Sequence, residues 1–253
     1  MWLSFGSYER KARLAPAFIL ALPIGMTTFA WFHGESLGLQ TLKSVGLSGA
    51  LLAALAVLFA AVARVMGKSR ERGLWESWGG NPAVDLLRHR NSNLSSVTRQ
   101  SYLECAATIL LASSTPPPTA DQEGRDPATA DAYYQALVDK LIESTRDRQR
   151  FPLIFEENRN YGFSRNLWGM KTLGILFSAL SVAGCSALLY IEWDMTKSIS
   201  ALSFVVFIFD LGMLSIWIFA VTRESVKVPA VAYARVLLAS CAELCKQSAP
   251  IEK

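Results

Sequence analysis

Asp210 is the residue of this 253-residue chain whose position indicates chemistry most clearly. It lies one position from the middle of Ser200–Thr222, a stretch with no other charged side chain. An ionised carboxylate is costly inside a membrane-spanning helix, and no other long apolar stretch of the chain contains Lys, Arg or His. We therefore expect Asp210 to be protonated and hydrogen-bonded to another helix, or ionised and facing water.

The polar groups able to meet Asp210 are few. They are the hydroxyls of Thr27, Thr28, Ser178 and Ser181, the thiol of Cys185, and Asp210 of a second copy. One interpretation is that Asp210 ties helices together, as polar side chains commonly do in membranes. The other is that it lines a pore or carries a proton, because ionisable groups in spans are often functional.

A second cluster of charged residues is a candidate site for an anion. Arg88, His89 and Arg90 lie at the predicted end of a short helix, where positive charge interacts favourably with the helix dipole. That position alone accounts for them. Together with Arg99 or Arg165 they would suit a small phosphate-bearing ligand, which arginines bind with charge-assisted hydrogen bonds.

Signatures of catalysis and of metal binding are absent from the sequence. No phosphate-binding, dinucleotide-binding or nucleophile-elbow motif occurs, and no C-x-x-C or H-E-x-x-H pair. Cys241 and Cys245 are spaced for one helix face, but neither of the two histidines lies nearby to complete a zinc site. We expect no enzyme activity, no metal and no cofactor, although a site assembled from distant residues stays open.

Four long apolar stretches dominate the chain and identify its class. A helix of about 20 apolar residues crosses a membrane, and these stretches are Leu14–Phe32, Ser44–Ala63, Thr172–Ile191 and Ser200–Thr222. Of the 25 Lys and Arg residues, 23 fall in the two termini and the long connection, and two fall in the short connections. The positive-inside rule then places both termini and the long connection in the cytoplasm.

Several further features fit a multi-pass protein of the plasma or inner membrane. The net charge of +4 reflects basic residues sorted to the inside, so no nucleic-acid partner is expected. With the cysteines in the cytoplasm or in a span, no disulfide is expected. Five tryptophans are candidate interface anchors, with Trp75 and Trp78 open to an alternative role as a ligand-stacking platform: Trp31, Trp75, Trp78, Trp168 and Trp193.

The residues between the second and third stretches are predicted to form helices. Asn81–Pro82, Ser95 or Ser96, and Asp126–Pro127 are helix starts, since each pairs a capping side chain with a helix-compatible sequence. Residues 119–126 are expected to be a polar connector with at most one turn begun by Thr119. Pro152 begins a last segment with a weak point at Gly162 or Gly169, and the tail after Pro229 is an amphipathic helix.

The fold class predicted is an all-α integral membrane protein with four transmembrane helices, a helical cytoplasmic insertion and a C-terminal amphipathic helix. Its regions are 1–66, a tail and membrane hairpin; 67–171, a cytoplasmic helical domain; 172–222, a second hairpin; and 223–253, a cytoplasmic helix. Small residues are spaced along the second and third spans (Gly46, Ala50 and Ala54; Gly174, Ser178 and Gly184), which suits close helix packing within one subunit or between copies.

Three functions are compatible with these features. The first is a non-enzymatic, homo-oligomeric membrane protein whose cytoplasmic helices sense or bind something and pass the signal to the spans, with a pore or a membrane effector in bacterial defence or stress as one instance. The second is a scaffold or accessory subunit that recruits a cytoplasmic protein through the Asp126–Thr145 helix or the tail. The third is a membrane enzyme with a non-local site.

Overall fold

The computed structural model of the protein describes residues 12, 14–33, 49–107 and 116–248. Every regular element in these ranges is a helix, and no strand occurs in them, as the sequence predicts. The helices are α1 Ala15–His33, α2 Gly49–Trp78, α3 Pro82–Leu87, α4 Ser96–Ala106, α5 Ala120–Arg125, α6 Pro127–Ser144, α7 Pro152–Gly169, α8 Lys171–Thr196, α9 Ala201–Ser215, which continues as a π-turn over Ile216–Ala220, and α10 Arg223–Ser248.

The predicted helix starts are confirmed by their capping hydrogen bonds. The Asn81 side chain accepts from the Ala83 amide ahead of α3, and Ser95 accepts from the Thr98 amide ahead of α4. Asp126 caps α6 in the same way. Each cap satisfies one of the amide groups that have no partner inside the first helical turn.

Two local expectations need correction or narrowing. The connector at 119–126 contains a six-residue helix, α5, because Thr119 and Gln122 form a reciprocal capping box that satisfies both ends of the first turn. Helix α7 runs through Gly162 without interruption and ends at Gly169, so of the two predicted weak points only the second is a break.

The chain forms two compact units. The first comprises the described residues of Met1–Glu71 and Gly162–Val226, and the second comprises the described residues of Arg72–Tyr161 and of Lys227–Lys253. In the first unit, α1, α8 and α9 pack pairwise against one another to form a three-helix bundle. The segments of α2 and α7 also meet there, at Gly67 and Gly169, where a Cβ on Gly169 would lie 2.5 Å from the Gly67 nitrogen.

The second unit has a hydrophobic core of its own. Both predicted amphipathic faces, those of α6 and of the C-terminal helix α10, are buried in this core rather than presented to solvent. Helix α6 contributes Ala130, Tyr134, Leu137, Val138 and Leu141, and α10 contributes Ala234, Leu237, Leu238 and Cys241.

A disulfide in the second unit contradicts the expectation of none. Cys105 on α4 and Cys245 on α10 are joined, with their Cα atoms 6.0 Å apart. The expectation rested on the reducing compartment, whereas the packing of α4 and α10 around one core brings together two thiols that lie 140 residues apart in sequence. Cys185 and Cys241 are free and buried.

Four helices of the described part of the chain are long and apolar enough to cross a membrane. Ala15–Phe32, Lys171–Thr196 and Ala201–Ala220 correspond to predicted spans, and Arg223–Cys245 is the helix predicted to be cytoplasmic. The predicted span Ser44–Ala63 lies partly outside the described residues. Gly46 and the side chains of Ala50 and Ala54 lie outside them entirely.

Candidate functional site

The bundle of α1, α8 and α9 has an apolar outer surface and a group of polar residues within a mainly apolar interior. Its buried polar residues, each no more than 8% exposed, are Thr27, Ser178, Ser181, Ser203 and Asp210. Large apolar side chains cover its outer surface, with exposed fractions between 44% and 62%: Phe18, Leu22, Phe29, Leu176, Leu180, Phe204, Val205 and Ile208. Exposed apolar patches of this extent are rare on a protein in water.

Asp210 is one of these buried polar residues. Its side chain is completely buried, and its Oδ2 accepts a hydrogen bond of 2.6 Å from Thr27 Oγ1 on α1. Its Oδ1 has no hydrogen-bond partner among the described residues. Of the predicted partners, Thr27 is therefore the one in contact, and the carboxyl group links α9 to α1.

The antiparallel register of α8 and α9 places two serines level with Asp210. At one end Gly174 packs against the Trp217 indole, and at the other Cys185 Sγ lies 3.6 Å from the Ser203 carbonyl oxygen. Asp210 is halfway between Ser203 and Trp217 along the chain. The corresponding halfway point between Gly174 and Cys185 falls between Ser178 and Ser181, two residues of the same buried face of α8.

These two serines, like the Asp210 carboxyl group, have a buried side-chain oxygen without a hydrogen-bond partner in the described part of the chain. The Oγ atoms of Ser178 and Ser181 are buried and have no hydrogen-bond partner among the described residues. Thr28, by contrast, is exposed and donates to the Ile24 carbonyl of its own helix, so it takes no part in the cluster. The site is thus one carboxyl group and three hydroxyls, and we name Thr27, Ser178, Ser181 and Asp210 the Asp210 cluster.

The chemistry available to this cluster is that of hydrogen bonding and proton binding. It contains no base placed to activate a nucleophile, and the described part of the chain holds no group of three or more His, Cys, Asp or Glu side chains that suits a metal ion. Hydroxyl and carboxyl groups can exchange one proton among themselves and hold helices in register.

Two residues of the bundle were not singled out from the sequence. Trp217 is fully buried, and its ring occupies the space that any side chain at position 174 would take. Glu192 accepts from Ser203 Oγ at 2.5 Å and from the Ser200 amide at 2.9 Å, so it closes the turn between α8 and α9. The contact of Glu192 could have been predicted from the sequence, because this glutamate ends a long apolar stretch and is followed closely by Ser200, the residue that caps α9.

Arg88, in the second unit, is held by acceptors of the protein itself. Its guanidinium donates to both carboxylate oxygens of Asp131 at 2.7 and 2.8 Å, to the Gly79 carbonyl at 2.7 Å and to Asp85 at 3.2 Å. The hydrogen bond to Asp131 raises the pKa of Arg88 against the effect of burial. With its side chain only 7% exposed, this arginine fastens α3 to α6.

Arg99 and His89 also contact protein groups. Arg99 donates to the carbonyls of His89 and Leu94, among others at the end of α3 and in the loop after it. The His89 ring lies 2.9 Å from the Pro118 carbonyl through Nε2, and its amide donates to Glu123. Arg90 is exposed.

Arg165 belongs to the first unit, apart from the other members of the predicted anion site. It donates to Glu71 at 2.7 Å, and Lys68 contacts the other carboxylate oxygen of Glu71. Burial acts to raise the pKa of Glu71, but the hydrogen bond from Lys68 and the charge of Arg165 outweigh it, so this pKa is lowered. The five predicted residues are thus divided between the two units, and anion binding stays a prediction.

The tryptophans of the first unit lie near the ends of the spans. Trp31 donates through Nε1 to the Gly184 carbonyl at 3.2 Å, while Trp193 is 54% exposed. The ammonium group of Lys171 lies 5.4 Å from the centre of the Trp168 ring, within cation–π distance.

Trp75 and Trp78 lie in the second unit, where one of them has a contact of its own. Trp75 donates to the Tyr161 hydroxyl at 3.1 Å, whereas the buried Nε1 of Trp78 has no partner among the described residues. Both side chains are partly buried in this unit. Their predicted roles as interface anchors or as a stacking platform stay predictions.

The fold and the site together define an all-helical protein with four helices long and apolar enough to span a membrane. Comparison of the chain with models of protein families, with curated proteins and with solved structures finds no match in any of the three.

Proposed function

We propose that this chain is a non-enzymatic multi-pass membrane protein that couples a cytoplasmic helical domain to a bundle of transmembrane helices. In this proposal α1, α8 and α9 lie in the bilayer, together with the predicted second span. The second compact unit is the cytoplasmic domain, which senses or binds a partner. Both termini are cytoplasmic and the membrane is the plasma or inner membrane, as the distribution of basic residues favours.

The observation that carries the membrane placement is the apolar outer surface of the bundle of α1, α8 and α9. In water, the exposed apolar side chains of these helices would be unfavourable at about 25 cal/mol for each Å² of apolar surface. In a bilayer the same surface meets hydrocarbon at no such cost, and the polar residues are buried inside the bundle, away from lipid.

Helix α10 also meets the length and composition of a span, and the proposal assigns it to the cytoplasmic domain. One face of this helix is already buried in the core of the second unit, through Ala234, Leu237, Leu238 and Cys241. Arg235 donates to the carbonyl of Asn93 in the same unit. The rest of this core comes largely from α3, α4 and α6, none of which is among the helices long and apolar enough to span a membrane, so the proposal places α10 with them.

The hypothesis that the chain is a scaffold for a cytoplasmic protein has less support from the structure than from the sequence alone. It assumed that the apolar faces of α6 or α10 were available to a partner protein, and these faces pack into the same core. Likewise, the small-residue face of α8 is used within the chain, because Gly174 meets Trp217 and Gly184 lies beside Thr27. Homo-oligomerisation therefore rests on the sequence argument alone.

The proposal is tested by cysteine accessibility at three positions in otherwise native protein. Met195→Cys, between α8 and α9, is expected to react with a membrane-impermeant maleimide in intact cells. Ala120→Cys and Ser248→Cys are expected to react only after permeabilisation. The wild type is the control, and the labelling of its own cysteines is subtracted from that of each variant; Cys185 and Cys241 are buried, and Cys105 and Cys245 are joined in the disulfide.

Each outcome has a distinct meaning in this experiment. Reaction of Ala120→Cys from outside would refute the cytoplasmic placement of the helical domain. Reaction of Ser248→Cys from outside with Ala120→Cys protected would show that α10 crosses the membrane. Recovery of the protein in the soluble fraction after cell lysis would refute the membrane placement itself.

A further inference from the structure

The Asp210 cluster contains three buried oxygen atoms without a hydrogen-bond partner in the part of the chain that the structure describes. Asp210 Oδ2 has its donor in Thr27, whereas Oδ1 and the hydroxyls of Ser178 and Ser181 have no partner among the described residues. A carboxylate can only accept, so an ionised Asp210 requires a second donor for Oδ1.

We propose that the cluster is a proton-binding site, in which Asp210 is protonated at Oδ1 in the closed bundle. The Thr27 hydroxyl donates to Oδ2, so the proton is assigned to Oδ1, the oxygen that has no donor among the described residues. The same proton removes the charge, which a fully buried side chain in a bilayer cannot retain without a counter-ion.

No other charged group on the packed helices can take the place of this proton. On α8 the titratable side chain of the face that meets α9 is Cys185, which lies beside Ser203. The charged residues of α8 lie at its ends: Lys171 donates to the carbonyls of Ile218 and Val221, and Glu192 accepts from Ser203. Within the described part of α1 the only titratable group is His33, its last residue.

Loss of the proton is expected to loosen the bundle. When the proton passes to water, Asp210 becomes a carboxylate that keeps the hydrogen bond from Thr27 and carries a charge inside the bundle. The charge then favours any arrangement that admits water. The cluster therefore links the packing of three membrane helices to proton concentration, and this inference rests on the membrane placement proposed above.

The first test is the infrared spectrum of the protein in detergent or nanodiscs at neutral pH. A protonated carboxylic acid has a carbonyl stretching band separate from that of a carboxylate, and labelling with ¹³C-aspartate shifts the band if it arises from Asp. Asp210 is the only fully buried aspartate among the described residues. We expect one isotope-sensitive band that is absent from Asp210→Asn.

The second test measures opening through Cys185, which is fully buried beside the cluster. N-ethylmaleimide modification of Cys185 is followed by peptide mass spectrometry from pH 5.5 to 9.5 in wild type and Asp210→Asn. The pH dependence of thiol chemistry is common to both proteins and cancels in their ratio. We expect the ratio to be near one at low pH and, once Asp210 begins to ionise, to rise about tenfold for each further pH unit.

Several results would overturn the proposal. They are the absence of the isotope-sensitive band in wild type, a ratio that stays at one over the whole pH range, and protection of Cys185 that depends on sodium ions in place of protons. The infrared test on wild type needs no variant, so a folding defect in Asp210→Asn leaves it intact. Failure of these tests with correct cysteine topology would refute the proton site and leave the proposed function standing.

Discussion

The contact between Gly174 and Trp217 provides a quantitative test of the bundle geometry. A Cβ atom built on Gly174 would lie 2.2 Å from the nearest carbon of the Trp217 indole. Ordinary contacts between carbon atoms are about 3.5–4.0 Å, so Gly174→Ala requires α8 and α9 to separate or the indole to move. Such overpacking costs typically about 1–3 kcal/mol.

Gly212→Ala is the matched control for this substitution. Gly212 lies on α9, is exposed, and has no atom within 4 Å of its added Cβ. Replacing a helical glycine by alanine in open space is worth about 0.5–1 kcal/mol through backbone entropy. We therefore expect the thermal unfolding midpoint to fall for Gly174→Ala and to hold or rise for Gly212→Ala, by about 2–4 °C per kcal/mol.

A double variant shows whether the indole is the cause. In the background of Trp217→Leu the smaller side chain leaves room at Gly174, so adding Gly174→Ala should cost little more. Unfolding midpoints of the four proteins in one detergent give the coupling between the two positions. An equal loss from Gly174→Ala in both backgrounds, or no loss compared with Gly212→Ala, would refute the register of α8 and α9.

Three further predictions concern groups outside the spans. Arg88→Met should lower the stability of the full chain by about 1–3 kcal/mol, because buried acceptors lose charged donors, while the exposed Arg90→Met should change it by less than about 0.5 kcal/mol; equal effects would contradict the structural role of Arg88. Because the pKa of Glu71 is lowered in the folded protein, its stabilising effect is complete above the ordinary value of 4.5 and is lost as pH falls through the lower folded value. Unfolding midpoints between pH 6 and 3 should therefore fall more for wild type than for Glu71→Gln, and parallel curves would count against the ion pair. Reduction with dithiothreitol should lower the unfolding midpoint of wild type but not of Cys105→Ser or Cys245→Ser. The corresponding loss in the free energy of unfolding is at most about 5 kcal/mol for a loop of this length; an unchanged wild type would show that the bond is absent or does not contribute.

Local features of the fold were predictable because they depend on neighbouring residues. The caps at Asn81, Ser95 and Asp126 use side chains within three residues of the amides they bind. Helix α5 was underestimated because a capping box needs only Thr119 and Gln122, and no apolar periodicity marks so short a helix. Three of the four predicted spans are helices long and apolar enough to cross a membrane, and they were predictable because length and composition need no tertiary information.

Contacts between distant residues were not predictable in the same way. The sequence shows Arg88 at a helix end, but not that Asp131, 43 residues away, accepts two of its four guanidinium hydrogen bonds. Any arginine near a helix end is open to a ligand until its partners are known. The Cys105–Cys245 disulfide, whose members are separated by 140 positions in sequence, depends on tertiary packing in the same way.

The position of Asp210 distinguishes between its two sequence-based interpretations within a single protomer. A carboxylate that lines a pore between copies must reach a protomer surface, yet Asp210 is completely buried and hydrogen-bonded to Thr27 of the same chain. To line such a pore it would have to break that bond and separate α9 from α1. Intramembrane hydrogen bonds average about 0.6 kcal/mol, so the bond alone is a weak obstacle. The larger obstacle is the charge that forms when the carboxyl group of a separated α9 ionises. A proton bound at Asp210 keeps this group neutral, so nothing drives the helices apart. A closed, neutral bundle is therefore the state that the packing of α1, α8 and α9 favours, and the proton concentration is the variable most able to change it.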